Sequence, residues 1–151
     1  MKLAEALIYR KELEDKLYGL EGRVLNNIII QEGEKPNESP QELIEEIRQV
    51  NEELANLIGK INKTNATVKF NDEYTISDAI AKRDEFKNLI RMLKSFANKA
   101  SSPLERYSNS EIKRFTVLNV SKLQKEIDKI SKEYRVLDIK LQELNWKVEL
   151  V

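Results

Sequence analysis

Arg106-Tyr107-Ser108-Asn109-Ser110-Glu111-Ile112-Lys113-Arg114-Phe115 concentrates basic and aromatic groups in one stretch, and it reads as a loop. Loops carried on rigid elements are where function tends to sit. Interleaved cations and rings can neutralise and stack a nucleotide or a single strand. Glu111 opposes the patch, so the nucleic-acid signal is weak. A second candidate is Arg83-Asp84, because Arg83 falls on the apolar stripe of a predicted helix and needs an acceptor. Glu111, or Asp84 of a neighbouring subunit, can supply one, which gives either a structural salt bridge or an anion site. The third is Asn62-Lys63-Thr64-Asn65 at a predicted helix end, where amides and hydroxyls cap the last turn or form a small polar site. Together these define a candidate polar cluster of Asn62, Asn65, Arg83, Arg106, Tyr107 and Glu111, expected to converge near helix ends or a subunit boundary.

The residues that are missing narrow the chemistry further. The chain has no His and no Cys, so thiol nucleophiles, disulfides, thiolate metal sites and imidazole bases are all absent. Any metal would need oxygen ligands. A di-iron helical site of the usual kind requires Glu-x-x-His and is excluded. The acidic pairs Glu45-Glu46 and Glu52-Glu53 read as solvated helix faces. No Gly-rich phosphate loop and no Gly-x-Ser-x-Gly elbow is present. No catalytic residue, metal or cofactor is assigned, and the protein is not read as an enzyme.

The elements that must position these groups are long helices. Val120, Leu123, Ile127, Ile130, Tyr134, Leu137, Leu141 and Leu144 alternate three and four apart among charged neighbours, which places one narrow apolar stripe on a helix face. Leu43, Ile47, Val50, Leu54, Leu57 and Ile61 repeat the pattern. So do Leu3, Ala6, Arg10, Leu13, Leu17, Leu20, Val24 and Asn27, with Leu7 and Ile28 widening the stripe. Arg10 and Asn27 fall where apolar residues belong, as register- or partner-fixing polar residues do in coiled coils. Gly33, Pro36 and Asn37 break the first helix from the second. Ser39-Pro40-Gln41-Glu42 supplies an N-cap, a first-turn proline and a capping-box glutamate. The spacing predicts helices over 3–30, 40–65, 76–100 and 120–144, the first two joined as an antiparallel hairpin of rods on the order of 40 Å long. Residues 67–75 read as two short strands about Asn71-Asp72, and Thr75 with Asp78 as the next cap. Ile112, Phe115, Thr116 and Val117 suggest a strand over 112–118. Trp146, Val148 and Leu150 alternate like a terminal strand that pairs with it, Trp146 serving as a packing anchor.

The bulk figures agree with a helix-rich chain. Its 151 residues suit one domain spanning 1–151; hydrophobic residues make up 40% and charged residues 34%, with four Gly and three Pro to punctuate turns. Twenty-six basic residues balance twenty-six acidic ones, so no long-range field draws in nucleic acid or anionic lipid. No apolar run approaches a membrane span and the start does not read as a secretory signal, so a cytoplasmic location is expected.

Six blocks carry a resemblance to a known family: Glu32-Gly33-Glu34 with Pro36; Ile61-Asn62 with Thr64-Asn65; Asp78-Ala79 with Ala81 and Arg83-Asp84; Arg106-Tyr107-Ser108 with Ser110-Glu111-Ile112-Lys113; Leu123-Gln124-Lys125; and Gln142-Glu143-Leu144-Asn145-Trp146. Through them nearly the whole chain resembles a septicolysin-like family of small helical bacterial proteins of unknown function. Where relatives have Asp-Gly in the turn, this chain has Asp72-Glu73. The family label implies a pore-forming haemolysin and gives no residue a mechanistic role.

The sequence therefore predicts a mainly α protein, an elongated four-helix bundle of coiled-coil-like hairpins with small β-hairpin insertions. It is expected to assemble with itself, as a dimer or a multiple of one, and to act as a structural or interaction module. A membrane-active protein of the pore-forming kind is the first alternative. A small-ligand or nucleotide-binding protein using residues 106–115 is the second.

Overall fold

The computed structural model describes residues 1–102 and 112–151. Four helices are present: α1 (Leu3–Asn27), α2 (Pro40–Thr67), α3 (Ile76–Ser101) and α4 (Val120–Lys147). The mainly α, four-helix reading holds, and each boundary lies within three residues of its expected place. The β insertions do not hold, since among the described residues only two isolated bridges occur, Lys2 with Glu149 and Lys69 with Thr75. The chain divides into two compact units, one of residues 1–77 with 142–151 and one of residues 78–141.

The first unit is built on the α1–α2 hairpin. Ala6, Leu13, Leu20 and Asn27 lie seven apart on α1, and Leu43, Val50, Leu57 and Thr64 lie seven apart on α2; all eight are buried. Two turns of helix separate each pair, so each set forms one stripe, and the two stripes close on each other. Burying a leucine of this kind contributes about 1.5–3 kcal/mol, so the seam rather than any surface pair holds the hairpin. Three polar links flank it: Tyr9 with Glu53, Lys16 with Glu46 and Arg23 with Glu38. Numbers that rise along α1 fall along α2, which makes the hairpin antiparallel and sets Leu13 level with Val50.

The connection between these helices uses local chemistry. Gly33 has φ +82°, the left-handed conformation that glycine adopts without strain, inside a turn closed by Glu34 N–H to the Gln31 carbonyl at 3.0 Å. Asn27 fills its seam position by satisfying backbone. Its Nδ2 donates to the Arg23 carbonyl at 2.8 Å and its Oδ1 accepts from Glu38 N–H at 3.1 Å. Ser39 caps α2 by accepting from Glu42 N–H, with Pro40 opening the helix.

Residues 68–75 form a turn in place of the expected strands. The Asn71 side chain accepts from the amides of Glu73 and Tyr74 at 2.9 and 2.7 Å. Phe70 N–H donates to the Tyr74 carbonyl and Ile76 N–H to that of Val68, at 2.8 and 3.0 Å. α2 extends to Thr67 and α3 starts at Ile76, so too few residues are left for two strands once the turn is made.

The C-terminal tail also departs from expectation. Trp146 and Lys147 are still helical. Beyond them the tail pairs with the start of the chain and not with 112–118: Leu3 N–H donates to the Val148 carbonyl and Leu150 N–H to that of Met1, both at 2.9 Å. Glu149 receives both the N-terminal ammonium, at 3.1 Å, and Lys2 Nζ, at 2.5 Å. Residues 112–119 are exposed and contain no strand.

In the second unit Ala79 and Ala97 of α3 are buried, as is Ile127 of α4 with Leu141 at the unit's end. Leu123, Ile130, Tyr134 and Leu137 are only half-buried. The most regular stripe in the sequence is thus partly covered. Asn119 caps α4, its Oδ1 accepting from Lys122 N–H at 3.0 Å, where the sequence reading named no cap.

Candidate functional site

Of the expected polar cluster, Asn62 is exposed and Asn65 half-buried near the end of α2, in the first unit. Arg83 is half-buried on α3, in the second. Arg106, Tyr107 and Glu111 lie outside the described residues.

Arg83 finds its acceptors within its own chain. Its guanidinium meets Asp84 Oδ1 at 3.1 Å and Asp138 Oδ1 of α4 at 3.6 Å. Asp84, one of two candidate acceptors and then placed on a neighbouring subunit, pairs in cis with the residue beside it. Asp138 was missed, because a sequence does not give the rotation of α3 against α4. The only cue was its place between the stripe residues Leu137 and Leu141. Two carboxylates on one guanidinium form a structural tie.

The Asn62–Asn65 stretch acts through the residue between its amides. Thr64 is fully buried. Its hydroxyl donates to the Lys60 carbonyl at 2.9 Å and accepts the Val151 N–H at 3.0 Å. The expected cap is therefore a latch on the last residue of the tail.

Clefts open on the first unit. One, of about 450 Å³, lies beside the Tyr9–Glu53 link, where Met1, Leu57 and Leu150 are apolar lining and Glu52, Glu53 and Lys60 are charged. The Tyr9 hydroxyl donates to Glu53 Oε1 at 2.5 Å. That bond, more than desolvation or the carboxylate's charge, pushes the phenol above its usual range. A second cleft, of about 410 Å³, is formed where Leu7 and Ile8 of α1 face Trp146, with Lys11, Glu12 and Asp15 also lining it. Trp146, expected as a packing anchor, is exposed there.

The second cleft begins a face of α1 that sequence reasoning missed. Ile8, Lys11, Asp15, Tyr18, Gly22 and Leu25 also alternate three and four apart, on the side of the helix turned from the seam. Ile8, Tyr18 and Leu25 are exposed, as are Ile28, Ile29 and Ile30 just beyond the helix. The signal was present in the spacing, but the intervening Lys11 and Asp15 hid it. These two form an i,i+4 ion pair of 2.7 Å that covers helix surface and leaves the apolar residues in line.

The first cleft sets one hydroxyl against a carboxylate, Tyr9 with Glu53, and among the described residues no group of three or more acidic side chains is placed to hold a metal ion. No helix of the described residues is long and apolar enough to cross a membrane.

Comparison with known proteins agrees in fold and hands over no activity. Residues 10–150 match the model of a family of unknown function, DUF6847. No curated protein matches the chain. A crystal structure described as that of a functionally unknown conserved protein from Corynebacterium diphtheriae is 34% identical in sequence, with a TM-score of 0.93. The match covers 100% of this chain and 99% of that one.

Proposed function

The chain belongs to DUF6847, a family of unknown function, and we propose that it works as a homo-oligomeric interaction module assembled through its long helical faces. The observation that carries this reading is the outer face of α1, where Ile8, Tyr18 and Leu25 continue into Ile28-Ile29-Ile30 and Ile29 is 87% exposed. Exposed apolar residues in line on one helix face, ending in three consecutive isoleucines, are the kind of surface that a partner covers. Gly22 lies within the strip with open space where a Cβ would stand, so another backbone can approach closely. The half-buried stripe of α4 supports the same reading, because a seam of such regularity is ordinarily covered. A chain of zero net charge sets up no general repulsion between copies.

Light scattering on the wild type and on Leu25→Glu tests the proposal. Leu25 is exposed, so the variant keeps its fold and helical spectrum. The wild type is expected at a multiple of 17.6 kDa and the variant at a lower mass. Equal masses of one chain for both overturn the reading. Dye release from liposomes is the control for the membrane-active role that the septicolysin-like resemblance implies.

A further inference from the structure

Two separate surfaces of this chain, a cleft and an exposed segment, complement each other in apolar character and in charge. The first is the cleft of about 410 Å³ between Ile8 and Trp146, where Trp146 is 56% exposed. The second is the connector that leads into α4. It has neither helix nor bridge over residues 112–119, and in it Phe115 is 79% and Val117 98% exposed.

In an extended segment alternate side chains share a side, ~7 Å apart. Docked in that form, Phe115 and Val117 enter together, an aromatic and a branched aliphatic group suited to an apolar cleft. Cavities of roughly 300–1,000 Å³ are the size that encloses groups of this bulk. Charge agrees with shape. Lys113 and Arg114 precede the apolar pair, while the cleft carries two carboxylates, Glu12 and Asp15, against one ammonium, Lys11.

We infer that residues 115–118 of one copy dock in the Ile8–Trp146 cleft of a second copy, and the reverse. This rests on the self-association proposed above and names the surfaces that mate. A second copy is the occupant because every copy carries both the segment and the cleft. A two-fold exchange covers all four surfaces of a pair and closes the assembly. An unrelated partner covering the cleft leaves Phe115 and Val117 in water. The cleft also begins the same face of α1 that runs on to Leu25, so the docked segment extends one continuous contact.

The absence of cysteine from the native chain makes the test clean. Glu12→Cys and Lys113→Cys, both at exposed positions and the second on the side of Phe115 and Val117 in an extended segment, are made separately, mixed and oxidised. The expected result is a disulfide-linked dimer in the mixture, in about ten-fold excess over either variant alone. The emission of Trp146, the single tryptophan, shifts to the blue as protein concentration rises, and Phe115→Ser removes the shift. If light scattering finds an oligomer while the mixture cross-links no better than the separate variants, the docking is overturned and self-association stands. If every species has the mass of one chain, both fall. A double variant that closes its disulfide within a single chain overturns the second copy as occupant.

Discussion

Tyr9 and Glu53 are joined across the α1–α2 hairpin by a hydrogen bond of 2.5 Å from phenol to carboxylate. Seven residues along α1, Lys16 Nζ meets Glu46 at 2.8 Å. Seven further, the Arg23 guanidinium grips both oxygens of Glu38. These links repeat with the period of the buried seam and run beside it, so they mark the register that the leucines hold.

The Tyr9 phenol is the direct reporter of that register. Its hydrogen bond to Glu53 raises it above the ordinary 10.0, so the bonded neutral form is favoured in the folded state. The link is intact below pH 10.0 and is lost as pH climbs through the raised folded value. In a spectrophotometric titration a component that Tyr9→Phe removes should ionise above pH 10.0. Glu53→Gln should lower that component's midpoint, and an unchanged midpoint would refute the link.

Acid weakens the same hairpin and the tail. Arg23 holds Glu38 below its usual carboxyl range through a hydrogen bond, as Lys16 does Glu46 and as Lys2, with the N-terminal ammonium, does Glu149. Depressed carboxyls contribute at neutral pH, above their unfolded values, and lose that contribution as pH falls below 4.5 through the folded values. All three are solvated, so the effect is modest and screened by salt. Melting temperature should fall between neutral pH and about pH 3, and molar salt should flatten the slope. A melting temperature that rises on acidification contradicts the assignment.

Thr64 ties the tail to α2 from a fully buried position. Thr64→Val keeps the shape but strands the Val151 N–H and loses the bond to the Lys60 carbonyl. A cost of about 1–3 kcal/mol in urea unfolding is expected. Thr64→Ser, which keeps the hydroxyl, should recover most of it. Equal losses in the two variants would assign the effect to packing instead.

Core deletions should rank the two seams. Leu13→Ala opens a hole in the buried α1–α2 seam and is expected to cost about 2–5 kcal/mol. Ile130 belongs to the more regular stripe but is half-buried, so Ile130→Ala should cost less than Leu13→Ala in the isolated chain. The reverse order, measured below the association range, would show that the α4 stripe is fully covered within one chain.

What the sequence revealed and hid follows from range. Leu13, Leu20, Val50 and Leu57 were legible because helical burial repeats within a few residues and leaves a period. Ser39 and Pro40 were legible because a cap is written in adjacent residues. Val148 and Leu150 did announce an extended tail, but its partner, Met1–Leu3, lies at the other end of the chain, and nothing local encodes that pairing. Val68 and Phe70 look like strand residues, yet the turn that Asn71 closes leaves no length for a ladder. Arg83 was rightly read as needing an acceptor. Asp138 was not nameable without the phase of α4. The outer face of α1 was hidden because two charged residues interrupt its apolar positions, and only exposure separates that face from the seam.

Whether a second copy covers the apolar surface of this chain, as proposed, is decided by sedimentation equilibrium of the wild type over a concentration series. The expected mass is at least twice the 17.6 kDa of one chain at micromolar concentration, falling on dilution as that of a reversible dimer does. A constant mass of 17.6 kDa across the whole series would contradict the proposal.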